Sequence, residues 1–358
     1  MKKRLAVLLT LALSVSVLAG CSGTAVVEKE KESTETVVAT EGTEVDSTAS
    51  STSEARPVKT GLSITTALSG SDATADEAGK AQADITIVAV TVDEDGVINS
   101  CAIDAIQAKN TFSAAGEITT EATEFLSKNE LGADYGMVAY GGAIAEWNEQ
   151  AAAVADYVVG KTVDEVKGIA LTEDGHAADA DLASSATITI AGYIDGIVAA
   201  VNNAKDLGAS HWDTLKLVSV TTPDHNASAT AEKDGTTEAY ATVAAVTLHQ
   251  DEITSCYIDA VQAKVNFDTT GKITSDLTAP VLTKNELGAD YGMVAYGGAI
   301  AEWNEQAASF AAYITGKTVD EVANIAVDET TKTTDTDLLS SVTIKIGGFK
   351  KLIEKAAQ

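Results

Sequence analysis

Apolar and polar residues alternate through Ala83–Lys109, "ADITIVAVTVDEDGVINSCAIDAIQAK", a period of two that predicts two strands. Asp95-Gly96 supplies the turn between them. Further on the period lengthens. Ile144, Trp147, Ala151, Val154 and Val158 recur at helical spacing, and Gly160 ends that run. "KTVDEVKGI" follows as a shorter helix with Thr162 as its N-cap. Strands first and helices after predict an α+β domain with an antiparallel sheet.

The pattern then repeats. "AYATVAAVTLHQDEITSCYIDAVQAK", Ala239–Lys264, matches the first hairpin. The 25 residues Lys128–Ala152, "KNELGADYGMVAYGGAIAEWNEQAA", return letter for letter at Lys284–Ala308, an offset of 284 − 128 = 156. Cys101 and Cys256 differ by 155, so one residue was gained or lost between the hairpins and the identical block. A repeat this long is a whole domain, too long for a solenoid unit. Copy one is placed near 60–205 and copy two near 215–358, with a short join that allows the two to pack together.

Residues 21–59 read differently. They are rich in Ser, Thr and Glu and lack aromatics, so they bury too little surface to offset the entropy of ordering and form a disordered, flexible tether. Before them, Lys2, Lys3 and Arg4 precede the apolar run 5–20, too short for a membrane span and suited to an export signal. It ends in "LAGC", which resembles the bacterial lipoprotein box. That resemblance implies removal of residues 1–20 and lipidation of Cys21, whose acyl chains would hold the protein at the outer face of the cell membrane. An ordinary cleaved signal with a nearby cysteine is the alternative.

The net charge of −29 makes phosphate-backbone binding unfavourable, so no nucleic-acid partner is expected. Cys101 and Cys256, one per copy, suit small buried side chains on strands. Three cysteines and four unclustered histidines give neither a four-thiolate cluster, a C-x-x-C-H haem site nor a metal site. No catalytic acid–base pair stands out. Any redox chemistry must come from an organic cofactor.

Each copy closes with a second matched segment. "DLASSAT" carries Asp181, Ser184, Ser185 and Thr187, and "DLLSSVT" carries Asp337, Ser340, Ser341 and Thr343. In copy one Ile190, Ile194, Ile197, Val198 and Val201 follow on one helical face, so the hydroxyls read either as a helix cap or as a phosphate site at a helix start. In copy two "TIKIGG" can open as a strand instead. Both segments resemble the attachment motif of the FMN-binding domain family, with Ser185 and Ser341 where the family usually has glycine, and Val342 where it often has alanine. The resemblance implies two tandem FMN-binding-type domains. It also implies that an FMN transferase esterifies Thr187 and Thr343, one covalent FMN per domain, reading a motif that includes Asp181 and Asp337.

Lipobox, tether, tandem domains, acceptor motifs and the repeated block together resemble the flavinylated lipoproteins of Gram-positive extracellular electron transfer. The implied role is an electron carrier from a membrane NADH dehydrogenase or quinol route to soluble flavins or ferric iron, with ferric or flavin reductase activity arising from the exposed flavin. Within the repeated block, Tyr135, Gly136 and Met137, with Tyr291, Gly292 and Met293, are candidates to line the flavin ring. Gly132, Gly141 and Gly142 would let backbone approach it, and Tyr140 and Tyr296 would stack on it. The competing interpretation is a glycine-rich turn before an amphipathic helix, with Trp147 and Trp303 in the core. A surface solute-binding or adhesive lipoprotein, and an enzyme component fixed in a larger membrane complex, are the rival functions.

Cys21→Ser is expected to remove the acyl mass from the protein and shift it from the membrane fraction to the medium. Intact mass and fractionation of cells making either form measure this.

Overall fold

The structure is a computed structural model that describes residues 55–358; the predicted signal 1–20, the lipidation site Cys21 and the tether up to residue 54 lie outside the described residues. Copy one contains an antiparallel sheet in the order β1 (Lys59–Ser71), β2 (Gly79–Val92), β3 (Ile98–Phe112). Copy two repeats it with β4 (Thr214–Thr222), β5 (Gly235–His249) and β6 (Glu252–Phe267). Helices follow each sheet. In copy one they are α1 (Lys128–Leu131), α2 (Met137–Gly141), α3 (Trp147–Val158), α4 (Val163–Lys167), α5 (Ala180–Ser185) and α6 (Ala191–Asn202). In copy two they are α7 (Lys284–Leu287), α8 (Met293–Gly297), α9 (Trp303–Ile314), α10 (Val319–Ala323), α11 (Thr336–Leu339) and α12 (Gly347–Ala356).

The α+β architecture is as expected, and the predicted hairpin is β2–β3. The first strand of each sheet is additional. β1 continues the Ser/Thr-rich composition of the tether, and only Leu62 and Ile64 are large apolar residues buried along its length. Residues just before 60 are also part of the fold. Val58 is buried, and its amide donates to Ala209 at 3.0 Å, so the last residues counted with the tether lie along the join between copies. The repeat offset drops from 156 to 155 at the hairpin turn and returns to 156 between Ile118 and Ser127, which match Ile273 and Thr283. Asp93–Val97 bridges β2 and β3, whereas His249 pairs directly with Glu252 across a turn that puts Gln250 at φ 60°.

Helix α3 begins at Trp147 with Glu146 as its N-cap, and it buries Trp147, Gln150, Ala151, Val154, Ala155 and Val158 on one face. Ile144, predicted on that stripe, instead sits in the preceding loop and is 59 % exposed. Glu146 takes the cap position and starts the helix after it. Thr162 caps α4 as expected, accepting from the Glu165 amide. The helices of each copy cover one face of their own sheet: Val88, Val90 and Ile103 pack with Trp147, Val154 and Ile197 in copy one. Val246, Ile258, Phe310 and Ile353 do the same in copy two.

The opposite faces of the two sheets pack on each other. Leu62, Ile85, Ile87 and Ile106 meet Ala241, Val243 and Val261 in one shared cluster. Strands buried on both sides lose strict alternation, which is why "TIVAVTV" and "ATVAAVTL" read as nearly continuous apolar runs. Hydrogen bonds cross between the copies in matched pairs. Ala73 N donates to Gly271 O at 2.8 Å and Ala229 N to Gly116 O at 2.7 Å. Gly116 and Gly271 have positive φ, and a Cβ on either would stand 2.8 or 2.6 Å from the Ala229 or Ala73 methyl. Phe112 and Phe267, both fully buried, stack with centroids 4.1 Å apart and planes 6° from parallel.

Truncating either ring leaves a cavity in a cluster that both copies share. Phe267→Ala is expected to cost about 3–5 kcal/mol and to lower the unfolding midpoint of both copies together, as read from chemical denaturation with a probe in each. Loss of copy two alone would contradict the shared core.

Candidate functional site

In copy one Asp179 caps α5, its Oδ1 accepting from the Asp181 and Leu182 amides at 3.0 and 3.2 Å. Leu182, 2 % exposed, anchors this short helix in the core. Ser184 and Ser185 turn their hydroxyls back onto the Asp181 carbonyl at 2.7 and 3.4 Å. The helix-cap reading of Ser184, Ser185 and Thr187 is therefore not met. α6 starts only at Ala191, Ile190 precedes it, and no side chain caps it. The serines close their own short helix, and an extended segment beginning at Ala186 separates it from α6. Copy two has the same arrangement, with Asp335 as cap, Ser340 bonded to the Asp337 carbonyl at 2.8 Å, and Ser341 bonded to the Leu338 carbonyl at 3.3 Å. The strand alternative for "TIKIGG" reduces to a single bridge, Lys332 with Lys345, before α12.

Thr187 follows Ala186 in the non-helical stretch before α6 and is exposed. Its amide and its hydroxyl both donate to Gln150 Oε1, at 2.8 and 3.0 Å. Gln150 is fully buried in α3, and its Nε2 donates to the Ala145 carbonyl at 2.8 Å. Copy two repeats the contact: Thr343 donates through N and Oγ1 to Gln306 Oε1 at 2.8 and 3.2 Å, and Ile344 N adds a bond at 3.2 Å. Gln306 Nε2 holds the Ala301 carbonyl at 2.8 Å. Each glutamine thus joins the repeated block to the acceptor segment. The bond to Ala145 or Ala301 orients the amide so that its oxygen faces the threonine. A threonine hydroxyl whose proton is donated inward keeps its lone pairs on the open side. The amide oxygen is not a base, so it positions the hydroxyl without activating it.

The glutamines escaped sequence reasoning because a polar residue inside an apolar helical stripe carries no motif. Its signal was position: it falls on the buried face of a helix within a block repeated without change.

The rest of the block is fastened to the same helix start. Glu146 accepts from Met137 N and Val138 N at 2.8 and 3.1 Å, and Glu302 does so for Met293 N and Val294 N at 2.8 and 3.0 Å. Gly136 has φ 79°, and a Cβ there would lie 2.5 Å from the Tyr140 ring. Tyr140 consequently rests on Gly136, with Tyr296 on Gly292 alike, and both rings are more than nine-tenths exposed. Val138 and Ile144 are exposed too, at 46 and 59 %.

The other candidates sit deeper. Tyr135 donates its hydroxyl to Gln107 at 3.0 Å, and Lys128 Nζ lies over the Tyr135 and Trp147 rings at 4.6 and 4.9 Å. Lys284 faces Tyr240, Tyr291 and Trp303 at 4.5, 4.5 and 4.7 Å and donates to the Tyr240 hydroxyl at 2.9 Å. Burial pulls the Lys284 ammonium down to about 8. Met137 and Met293 pack against the core, as do Trp147 and Trp303, which are 3 and 5 % exposed. Gly132 and Gly142 take positive φ, and Gly141 does not.

Thr187 is exposed and Thr343 half-buried, the rings of Tyr140 and Tyr296 are open to solvent, and all four are tied to the first turns of α3 or α9. Cys101 and Cys256 are free, and burial pushes both thiols up, Cys256 to about 12. Among the described residues no cluster suits a metal ion, and no helix is long and apolar enough to cross a membrane. No family model, curated protein or solved structure matches the chain.

Asp104 and Asp259 tie the block to the sheet. Asp104 Oδ1 accepts from Ala105 N at 2.7 Å and Asn129 N at 3.0 Å, and Asp259 repeats this with Ala260 N and Asn285 N. Burial pushes both carboxyls from 3.8 up to about 6. Between those values the folded state holds more protons than the unfolded chain, so their contribution to stability falls as pH rises. Replacing both with Asn keeps an acceptor and removes the charge. The variant's stability relative to wild type should therefore climb from about pH 4 to pH 6 and then level off. Urea midpoints taken stepwise across that window test this, and a constant difference would refute it.

Proposed function

We propose that this protein is an electron carrier with covalently bound FMN, one per copy, esterified to Thr187 and Thr343. The observation that carries this reading is the matched setting of the two threonines. In each copy the last residue of the D-x-x-S-S-x-T segment lies in the non-helical stretch between two helices, with amide and hydroxyl on one buried glutamine. The residues present fit a phosphoester. Esterification would take the hydroxyl's proton from Gln150, but the Thr187 amide would still hold that oxygen, and in copy two the Thr343 and Ile344 amides would remain. A covalent link removes dissociation, so no deep pocket is needed beside the acceptor. Tyr140 and Tyr296 offer bare aromatic faces tied to the same helix starts.

FMN itself supplies the redox chemistry when bound. The chain would tether and space two such groups at the outer membrane face through Cys21, taking electrons from an NADH dehydrogenase or quinol route. Soluble flavins or ferric iron are the proposed acceptors. The acceptor surroundings differ in charge. His176 bridges Thr189 in copy one, and Lys332 bridges Lys345 at the same place in copy two.

Coexpression with an FMN transferase should add two FMN masses to the wild-type chain. Thr187→Ala and Thr343→Ala should each lose one, and the double variant both. Gln150→Ala removes two hydrogen bonds of about 1 kcal/mol each, so modification at Thr187 should slow on the order of tenfold or more, while Thr343 in the same molecule serves as the internal reference. An unmodified, colourless wild type would end the flavin reading.

A further inference from the structure

The two copies form two equivalent grooves where they meet, and the grooves are filled differently. One lies between copy one's block and α12. There Lys351 Nζ sits 2.6 Å from Glu124, and Lys355 Nζ reaches Glu124 at 3.1 Å, Glu130 at 2.5 Å and the Ser219 carbonyl at 2.8 Å. Its counterpart lies between α6 and α9. At the repeat offset of 156, Lys355 corresponds to Ala199, Lys351 to Asp195, Glu130 to Glu286 and Glu124 to Pro280. By strand pairing Ser219 corresponds to Ile64, since Ser219 faces Val243 and Ile64 faces Ile87. The carboxylate of the pair is kept, and both lysines are gone.

What remains is a cleft of about 1020 Å³, lined by Ile64, Ala199 and Glu286 among others. Its α9 wall is built from Ala308, Ala311 and Ala312. Its charged groups are Asp206, Asp259, Glu286 and Glu305 against one cation, Lys205. Lys205 Nζ is engaged over the Tyr257 ring at 4.3 Å. Glu286 Oε2 accepts from Thr283 N at 2.8 Å, as Glu130 Oε2 does from Ser127 N, but among the described residues no ammonium sits on its Oε1 as one does on Glu130 Oε1. The filled groove therefore shows the chemistry that completes the open one: an ammonium on an aliphatic stem, between a carboxylate and a strand carbonyl.

We propose that this cleft binds a linear aliphatic amine, with one ammonium at Glu286 where Lys355 lies in the sister groove and its methylenes along the alanines of α9. The cleft is larger than one lysine side chain and carries further carboxylates, which favours a diamine or polyamine over a monoamine. This site is separate from the acceptor threonines and does not depend on the flavin reading.

Calorimetric titration of the full chain with 1,5-diaminopentane and with spermidine, in 0.15 M salt to screen diffuse attraction to the acidic surface, is the test. Saturable one-to-one binding is expected. Glu286→Gln should weaken it by roughly tenfold, the effect of losing one charge pair worth about 1.4 kcal/mol. Ala199→Lys should place the chain's own ammonium in the cleft, abolish saturable binding and raise the thermal midpoint. Absence of saturable binding to wild type, or binding unchanged in Glu286→Gln, would overturn the proposal. A lysine-bearing peptide that binds while both amines fail would assign the cleft to a protein partner instead and would likewise overturn it.

Discussion

A three-stranded sheet with two apolar faces needs two covers, and each copy makes only one. Its helices close the face that carries Val88 and Ile103, or Val246 and Ile258. The other face, with Ile85, Ile87 and Ile106, or Val243 and Val261, is closed mainly by the sister sheet, with Phe125 and Val281 at its margin. Leaving such a face in water forfeits about 25 cal/mol per Å² of apolar area. Duplication therefore does more than double a site. It supplies the missing layer, and the matched bonds Ala73–Gly271 and Ala229–Gly116 fix how the layers meet.

With the sheets joined back to back, the helices of both copies lie outward, and the acceptor segments lie outward with them. The two sheets share one core, the helices rest on them, and Gln150 and Gln306 tie Thr187 and Thr343 to those helices. A buried amide bonded through both its oxygen and its nitrogen is costly to leave unsatisfied, so it holds its orientation. The threonine needs no pocket of its own to be held in one place.

Much of this was legible in the chain. Alternation disclosed the β2–β3 hairpin, helical spacing disclosed α3 apart from Ile144, and the offset of 156 disclosed two copies of one domain. β1 was not legible because its exposed side is Ser and Thr, like the tether before it, and its packing partners lie far along the chain. The serines misled because hydroxyls before an apolar run resemble a cap, whereas Leu182 pulls them into a separate short helix. Gln150 carries a role that exists only across a separation of 37 residues, which no local pattern encodes.

The identity of the repeated block can now be divided by cause. Glu146 and Glu302 hold α2 and α8, Gln150 and Gln306 hold the acceptors, and Trp147 and Trp303 fill the cores, so these letters answer to bonds or packing inside the chain. Gly136 and Gly292 answer to the tyrosine rings that rest on them. Tyr140, Val138 and Ile144, with Tyr296, Val294 and Ile300, are each large, apolar and largely open to solvent, the tyrosines touching only the edge of the block at Gly136 and Gly292. Exposing them forgoes burial that the fold could have used, and both copies do it with the same letters at the same helix start. Folding explains the inner half of the block. The outer half stays open to solvent in both copies.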